Sequence, residues 1–285
     1  MIHKNDLKAA IQKLGLSGHT VCIHSSMKSF GEPVEEGPRT LAEAFLENQC
    51  TILVPTFSYQ FSVVPDLSQI PPRNGMGEDF FTDEESHCCE VFSSKGKAIS
   101  TEDMGIFPEY LLNRDDAFRG DHPLNSFTAV GNGAKELAQA QTAQDVYAPL
   151  RMLCEQDGFL LLAGVTLNQA TIIHYAEQLA GRTLFIRWAK GKNGQNIPVA
   201  VGSCSEGFEH LSSVVKPYER TIMVGNSLWR CFPARELVKA CQQAILENPQ
   251  ITHCGESHCS RCEDATAGGP ILPADFWETA EVWKS

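Results

Sequence analysis

Between Gly158 and Gly164 the chain runs Phe159-Leu160-Leu161-Leu162-Ala163 without one polar residue. A strand with one wet face alternates apolar and polar, so a run apolar at every position suits a strand covered on both faces at the centre of a sheet. The flanking pattern supplies the cover. Leu7, Ala10, Ile11 and Leu14 share one face of a helix over Asp6 to Leu14, and Thr20 to His24 reads as a short strand. A helix over Leu41–Leu46 and a strand over Thr51–Pro55 follow. Ser126 to Val130 is strand-like, a helix is expected from Ala134 to Ala140, and Pro149 suits the first turn of another. The central run leads into a helix over Asn168–Leu179, ended by Gly181. Beyond it, Thr183 to Ala189 and Ile197 to Val201 flank an Asn193-Gly194 hairpin signal, and helices are expected over Pro233–Leu246 and Asp275–Val282. This order predicts an α/β layered fold with a mixed sheet, one domain over 1–285 carrying a Cys/His-rich extension from about 250.

Charge and cysteine placement narrow the function. The formal charge of −12 over 285 residues argues against nucleic acid and anionic membrane as partners, whose phosphates are met with Lys and Arg. No apolar run approaches the roughly 20 residues of a membrane span, and the start Met1-Ile2-His3-Lys4 has no apolar signal core, so a cytoplasmic location is expected. Thirteen acidic and five basic residues stand between Asp66 and Asp121, which puts −8 of the charge there. Two readings stand for that stretch: a solvated surface segment, or an acidic wall facing a small cationic amine substrate. Its part from Ser58 to about Gly105 has no regular pattern.

Of eleven cysteines, Cys22, Cys50, Cys154, Cys204, Cys231 and Cys241 sit singly among apolar neighbours and read as buried small hydrophobes. Cys88 and Cys89 have no assignment. The tail differs: His253, Cys254, His258, Cys259 and Cys262 lie within ten residues, and Cys259-x-x-Cys262 has the spacing that lets two thiolates converge on a tetrahedral ion. Cys254, His258, Cys259 and Cys262 are the candidate ligands of a structural zinc; reduced surface thiols are the plainer alternative.

Three constellations carry chemistry. Asn168, Thr171, His174 and Glu177 recur every third residue, which places them along one helix ridge just past the central strand. Glu177 is suited to hold one ring nitrogen of His174 while the other takes a proton, and the Thr171 hydroxyl is suited to a developing oxyanion. An ordinary polar helix face has the same spacing. His24-Ser25-Ser26-Met27-Lys28-Ser29-Phe30 is a strand end running into a turn with hydroxyls and one lysine, but without a Walker pattern. Asp121-His122-Pro123-Leu124-Asn125-Ser126-Phe127 fixes His122 in extended backbone, as a ligand contact or a buried corner. Neither GxSxG nor GxGxxG is present.

Taken in order, His24-Ser25-Ser26, Val54-Pro55-Thr56-Phe57-Ser58, Met104-Gly105-Ile106-Phe107-Pro108-Glu109, His122 to Phe127, Ala148-Pro149-Leu150, Asp157-Gly158 and Thr171 to Glu177 form a series. That series resembles the aminoglycoside 3-N-acetyltransferase family over roughly residues 5 to 245. The resemblance implies an α/β/α sandwich with a mixed central sheet, not the GNAT fold of the other large class of N-acetyltransferases. It also implies acetyl transfer from acetyl-coenzyme A to an amine of an aminoglycoside or related aminosugar, with His174 as base, Glu177 orienting it and Thr171 polarising the thioester carbonyl. His24, Ser25, Ser26, Met27, Lys28, Ser29 and Phe30, with His122 and Ser126, would lie along the coenzyme. Ala148 stands where the family has serine, and Arg119-Gly120 where Arg-Ser is common. Antibiotic resistance belongs to the family but does not follow from the motif. The alternatives are acylation of another amine, as in secondary metabolism, and a non-catalytic zinc-bearing binding module.

Overall fold

The structure is a computed structural model that describes residues 1–76 and 90–281. Cys88 and Cys89 lie outside those residues, as does Val282 at the end of the last expected helix. Among the described residues ten strands form: β1 (Thr20–Ser25), β2 (Thr51–Pro55), β3 (Ser62–Val63), β4 (Phe118–Arg119), β5 (Phe127–Val130), β6 (Phe159–Ala163), β7 (Phe185–Lys190), β8 (Asn196–Val201), β9 (Arg220–Val224) and β10 (Ser227–Pro233). Seven build one sheet in the order β4-β5-β2-β1-β6-β10-β9, and β3-β7-β8 form a second.

The large sheet is mixed, as expected. β2, β1 and β6 run parallel, while β5 and β10 pair antiparallel outside them. The apolar run of β6 is interior, one place from the middle of the sheet, which β1 occupies. Its side chains divide by parity, the period of a strand. Leu160 and Leu162 join Cys22, Leu53 and Phe232 beneath the helices Ala134–Gln139, Ala148–Glu155, Ile172–Leu179 and Ala234–Glu247. Leu161 and Ala163 join Val21, Ile23, Ile52 and Trp229 beneath Lys4–Lys13, Pro38–Glu47 and Ile106–Leu112. Helices on both faces make the α/β/α sandwich. Each of the three leucines is wholly removed from water, a burial contributing about 1.5–3 kcal/mol per side chain.

The second sheet grows from the Asn193-Gly194 hairpin, and β3 comes from the stretch that lacked a sequence pattern. The residues after Pro249 wrap it. Asp264 accepts the Gly75 N–H at 2.7 Å, Ile271 N–H reaches Pro72 O at 3.0 Å, and Leu272 and Phe276 pack on Ile186 and Trp188. Among the described residues no helix is long and apolar enough to cross a membrane.

The ridge expected from Asn168 to Glu177 is broken near its start. Leu167–Gln169 is a separate 3-10 turn, and the α-helix begins at Ile172 with Thr171 as its N-cap. Asn168 Oδ1 accepts the Glu209 N–H at 2.9 Å, so this side chain anchors a neighbouring loop instead of continuing the helix face.

Candidate active site

β1, β2 and β6 end at Ser25, Pro55 and Ala163, and the chain switches from one side of β1 to the other between them. Open α/β sheets bind ligands at such carboxyl ends. Two adjoining chambers open there, of about 610 and 420 Å³, sharing His24, Pro55, Met104 and Gln169 in their walls. The larger is lined by the turn Ser25-Ser26-Met27-Lys28 and by Thr101 to Gly105. The smaller is lined by Thr171, His174, Tyr147, residues 201–206, Arg187 and Arg261.

In the smaller chamber, His174 Nδ1 lies 2.7 Å from Glu177 Oε2. The i,i+3 spacing of the helix makes this contact, and the carboxylate fixes which ring nitrogen carries the proton. Ser203 Oγ donates to the same oxygen at 3.1 Å, and Arg182 donates to Glu177 Oε1. Arg182 also donates to Thr252 Oγ1 at 2.7 Å and to Pro249 O. Glu177 is therefore a buried carboxylate with a buried cation behind it. The imidazole lies nearly parallel to the Tyr147 ring and edge-on to Phe208, its centroid 4.7 Å away. Gly202 presses against it: a Cβ there would lie 2.6 Å from His174 Cδ2 and from the Tyr147 hydroxyl. Nε2 has no protein hydrogen-bond partner among the described residues. The arrangement presents one oriented, proton-accepting nitrogen to the chamber.

The expected coenzyme residues divide. His24, Ser25, Ser26, Met27 and Lys28 line the larger chamber; Lys28 is exposed, and the Ser25 hydroxyl is buried with no partner. Burial holds the His24 imidazolium down at about 4. Ser29 faces inward, its hydroxyl taken by Ser26 O at 2.6 Å and Ser227 Oγ at 2.7 Å. Phe30 lies in the core, edge-on to Trp229.

His122 and Ser126 are buried and line neither chamber. His122 Nε2 donates to Ala200 O at 2.8 Å, while Nδ1 accepts the N–H groups of Leu124 and Asn125. Burial lowers its pKa to about 4. Ser126 donates to Thr56 O and accepts from Arg119 Nε at 2.9 Å. Arg119 further bonds Thr56 O, Ser58 Oγ and Gly96 O, and desolvation lowers it to about 10. His122, Ser126 and Arg119 thus form the polar floor beneath the cleft. Of the acidic stretch, Glu102 and Asp103 reach the larger chamber. Among the described residues none of that stretch reaches the smaller one, where Arg187 and Arg261 accompany Glu206.

The cysteine reading needs one correction. His258 is exposed and outside the cluster; the fourth member is Cys204, which the sequence suggested was an isolated core residue. The Sγ atoms of Cys204, Cys254, Cys259 and Cys262 all lie within 4.8 Å of one another. The hydrogen bond from Cys262 pulls Cys204 down to about 5. The isolated thiols behave oppositely: burial pushes Cys50 up to about 11 and Cys154, Cys231 and Cys241 up to about 12.

Arg182, Ser203, Tyr147 and Gly202 had no sequence signal at the level of spacing. Each reaches His174 or Glu177 from another element, and only the arginine five residues past Glu177 was near enough to notice.

A histidine held by a carboxylate at the meeting of two chambers defines a group-transfer enzyme that brings a donor and an acceptor together. The chain belongs to the aminoglycoside 3-N-acetyltransferase family, whose model matches residues 22–245, and it is an acetyltransferase of that kind. Aminoglycoside N(3)-acetyltransferase III of Salmonella sp is 28% identical over 276 residues, 93% of either chain. Among solved structures, aminoglycoside acetyltransferase AAC(3)-IVa, known as the apoenzyme and with a bound gentamicin, superimposes with a TM-score of 0.72 at 22% identity, over 94% of this chain and 97% of its own. AAC-IIIb in its binary complex with CoASH gives 0.66 at 18% identity, over 86% and 96%. These likenesses establish the same fold.

Proposed function

We propose that this enzyme moves the acetyl group of acetyl-coenzyme A to an amine of an aminoglycoside or related aminosugar, and that His174 is its general base. The observation carrying this reading is the His174–Glu177 contact on the wall of the smaller chamber, backed by Arg182. The larger chamber, with the Ser25 to Lys28 turn, takes the coenzyme; the smaller takes the acceptor. The AAC-IIIb complex with CoASH and the AAC(3)-IVa complex with gentamicin support this for the relatives.

His174 Nε2 removes a proton from the acceptor amine as its nitrogen forms a bond to the thioester carbonyl carbon. The Thr171 hydroxyl donates to the oxygen that gains charge. Glu177 holds the Nδ1–H and stabilises the imidazolium, and Arg182 keeps that carboxylate ionised in its buried setting. As the carbon–sulfur bond breaks, His174 returns the proton to the departing sulfur. The products are the acetamide and free coenzyme A. The protein works where acetyl-coenzyme A and small polar amines meet, in the cytoplasm.

A second reading is favoured by Arg261 on the smaller chamber's wall. It is an acceptor that carries a carboxylate or phosphate beside its amine. The test is thiol release from acetyl-coenzyme A with a panel holding both aminoglycosides and anionic amines. Turnover with a polycationic aminoglycoside supports the first reading, turnover confined to anionic amines the second. Coenzyme binding with no turnover on either set sinks both.

A further inference from the structure

We propose that Cys204, Cys254, Cys259 and Cys262 bind one zinc ion as a tetrathiolate, and that this ion fastens the acceptor-side wall of the cleft. The word acceptor rests on the functional reading above; the metal site does not.

A tetrahedral ion with sulfur ligands at about 2.3 Å sets the sulfurs about 3.8 Å apart. Four thiols already within 4.8 Å need only a small contraction to meet that geometry. The donor set is soft, closed and shielded, with Cys204 and Cys262 buried, as a structural rather than catalytic ion requires. The knuckle is built locally as well. Cys259 is the N-cap of the Ser260–Thr266 helix with Cys262 in its first turn, and the Cys254 N–H points at Cys262 Sγ from 3.4 Å. Such N–H donation offsets the charge of a bound thiolate. Cys204 arrives from β8's far end because Gly207 lets two backbones touch: a Cβ there would lie 2.4 Å from Thr252 O and 2.5 Å from His253 O.

What the ion would hold is the catalytic wall. Gly202 abuts the His174 ring and Ser203 bonds Glu177, so the two residues leading into Cys204 touch the base and its carboxylate. Ser205 and Glu206 follow it along the chamber. On the other strand of the knot, Arg261 stands between Cys259 and Cys262 and lines the same chamber. One ion therefore ties residues 202–206 to Arg261, two segments over 50 residues apart in sequence. The larger chamber, made by the ends of β1, β2 and β6, has no residue in the knot.

The test uses the full-length protein and reads metal before activity. Elemental analysis is expected to find one zinc per chain, and cobalt exchange to give intense tetrahedral bands with sulfur-to-cobalt charge transfer. Cys204→Ser is expected to weaken zinc binding at least 100-fold, whereas His258→Ala leaves it unchanged. Stripping the wild-type ion with a mercurial and a chelator serves should Cys204→Ser fail to fold. In the stripped protein, hydrogen exchange at residues 202–206 and 254–262 is expected to rise at least tenfold while β1, β2 and β6 and coenzyme A binding stay unchanged. Iron in the site, paired disulfides, or no metal at all would overturn the zinc assignment. Zinc loss without faster exchange at 202–206 would overturn the fastening role. Zinc and exchange behaving as stated with no amine acetylated would leave the metal inference standing and refute the acceptor reading.

Discussion

The two chambers meet at His24 and Gln169 but are made in different ways. The larger is an outgrowth of the big sheet: parallel strands end together, and their turns are its walls. The smaller is assembled from pieces distant in sequence, the Ile172–Leu179 helix, the loop after β8, the second sheet and the tail, held by a buried polar network. Backbone pairing fixes the first wall, so single side chains matter little to its shape. Side-chain bonds fix the second, and one lost partner displaces several residues. Substitutions around Glu177 should therefore do far more harm than those around the Ser25 to Lys28 turn.

The sharpest way to break the contrast is Arg182→Ala. It leaves the Glu177 carboxylate buried without its cation, and a loss of about 3–5 kcal/mol in unfolding free energy is expected from denaturant titration. Glu177→Gln added to it should restore part of that stability but none of the turnover. His174→Ala is expected to lower kcat by about 10²- to 10⁴-fold with coenzyme A affinity retained, measured by thiol release and calorimetry; unchanged turnover would remove His174 from the mechanism. Two buried histidines give a pH signature of the frame rather than of the acceptor wall. His24 and His122 take their proton near 6.5 when unfolded and only near 4 when folded, so the unfolded chain binds more protons in between. Stability is intact above about pH 6.5 and falls as the pH drops toward 4, on the order of 3 kcal/mol for each. A thermal midpoint flat across that range would contradict their burial as neutral rings. Gly202→Ala is milder, about 1–3 kcal/mol of overpacking against His174, and should raise the acceptor KM while sparing the coenzyme. Lys4→Ala, on the far surface with Glu43 and Glu47, is expected to change neither chamber nor turnover.

The same contrast explains what the sequence disclosed. The apolar run of β6, the period of the Ala234–Glu247 helix and the Asn193-Gly194 turn are local signals, and each element formed within a residue or two of its expected bounds. The His174–Glu177 pair was legible because helix geometry alone brings i and i+3 together. Asn168 followed the same arithmetic and failed, since an intervening 3-10 turn ended the period. Arg182, Ser203 and Cys204 were not legible, because their partners are set by how the tail folds back over the second sheet. His258 illustrates the reverse error: it has the right chemistry and the right spacing, yet its backbone sits in the left-handed region at φ 65 and its side chain faces water.

Arg261 lies beyond residue 245, where the match to the family model stops, yet it lines the chamber that holds His174. Reaction chemistry and acceptor choice are thus written in separable stretches of the chain. Exchanging tails between relatives would be expected to trade one repertoire of amines for another while leaving the transfer step intact, and phylogenies drawn from the shared region alone would sort such enzymes by what they do to a substrate rather than by which substrate they accept.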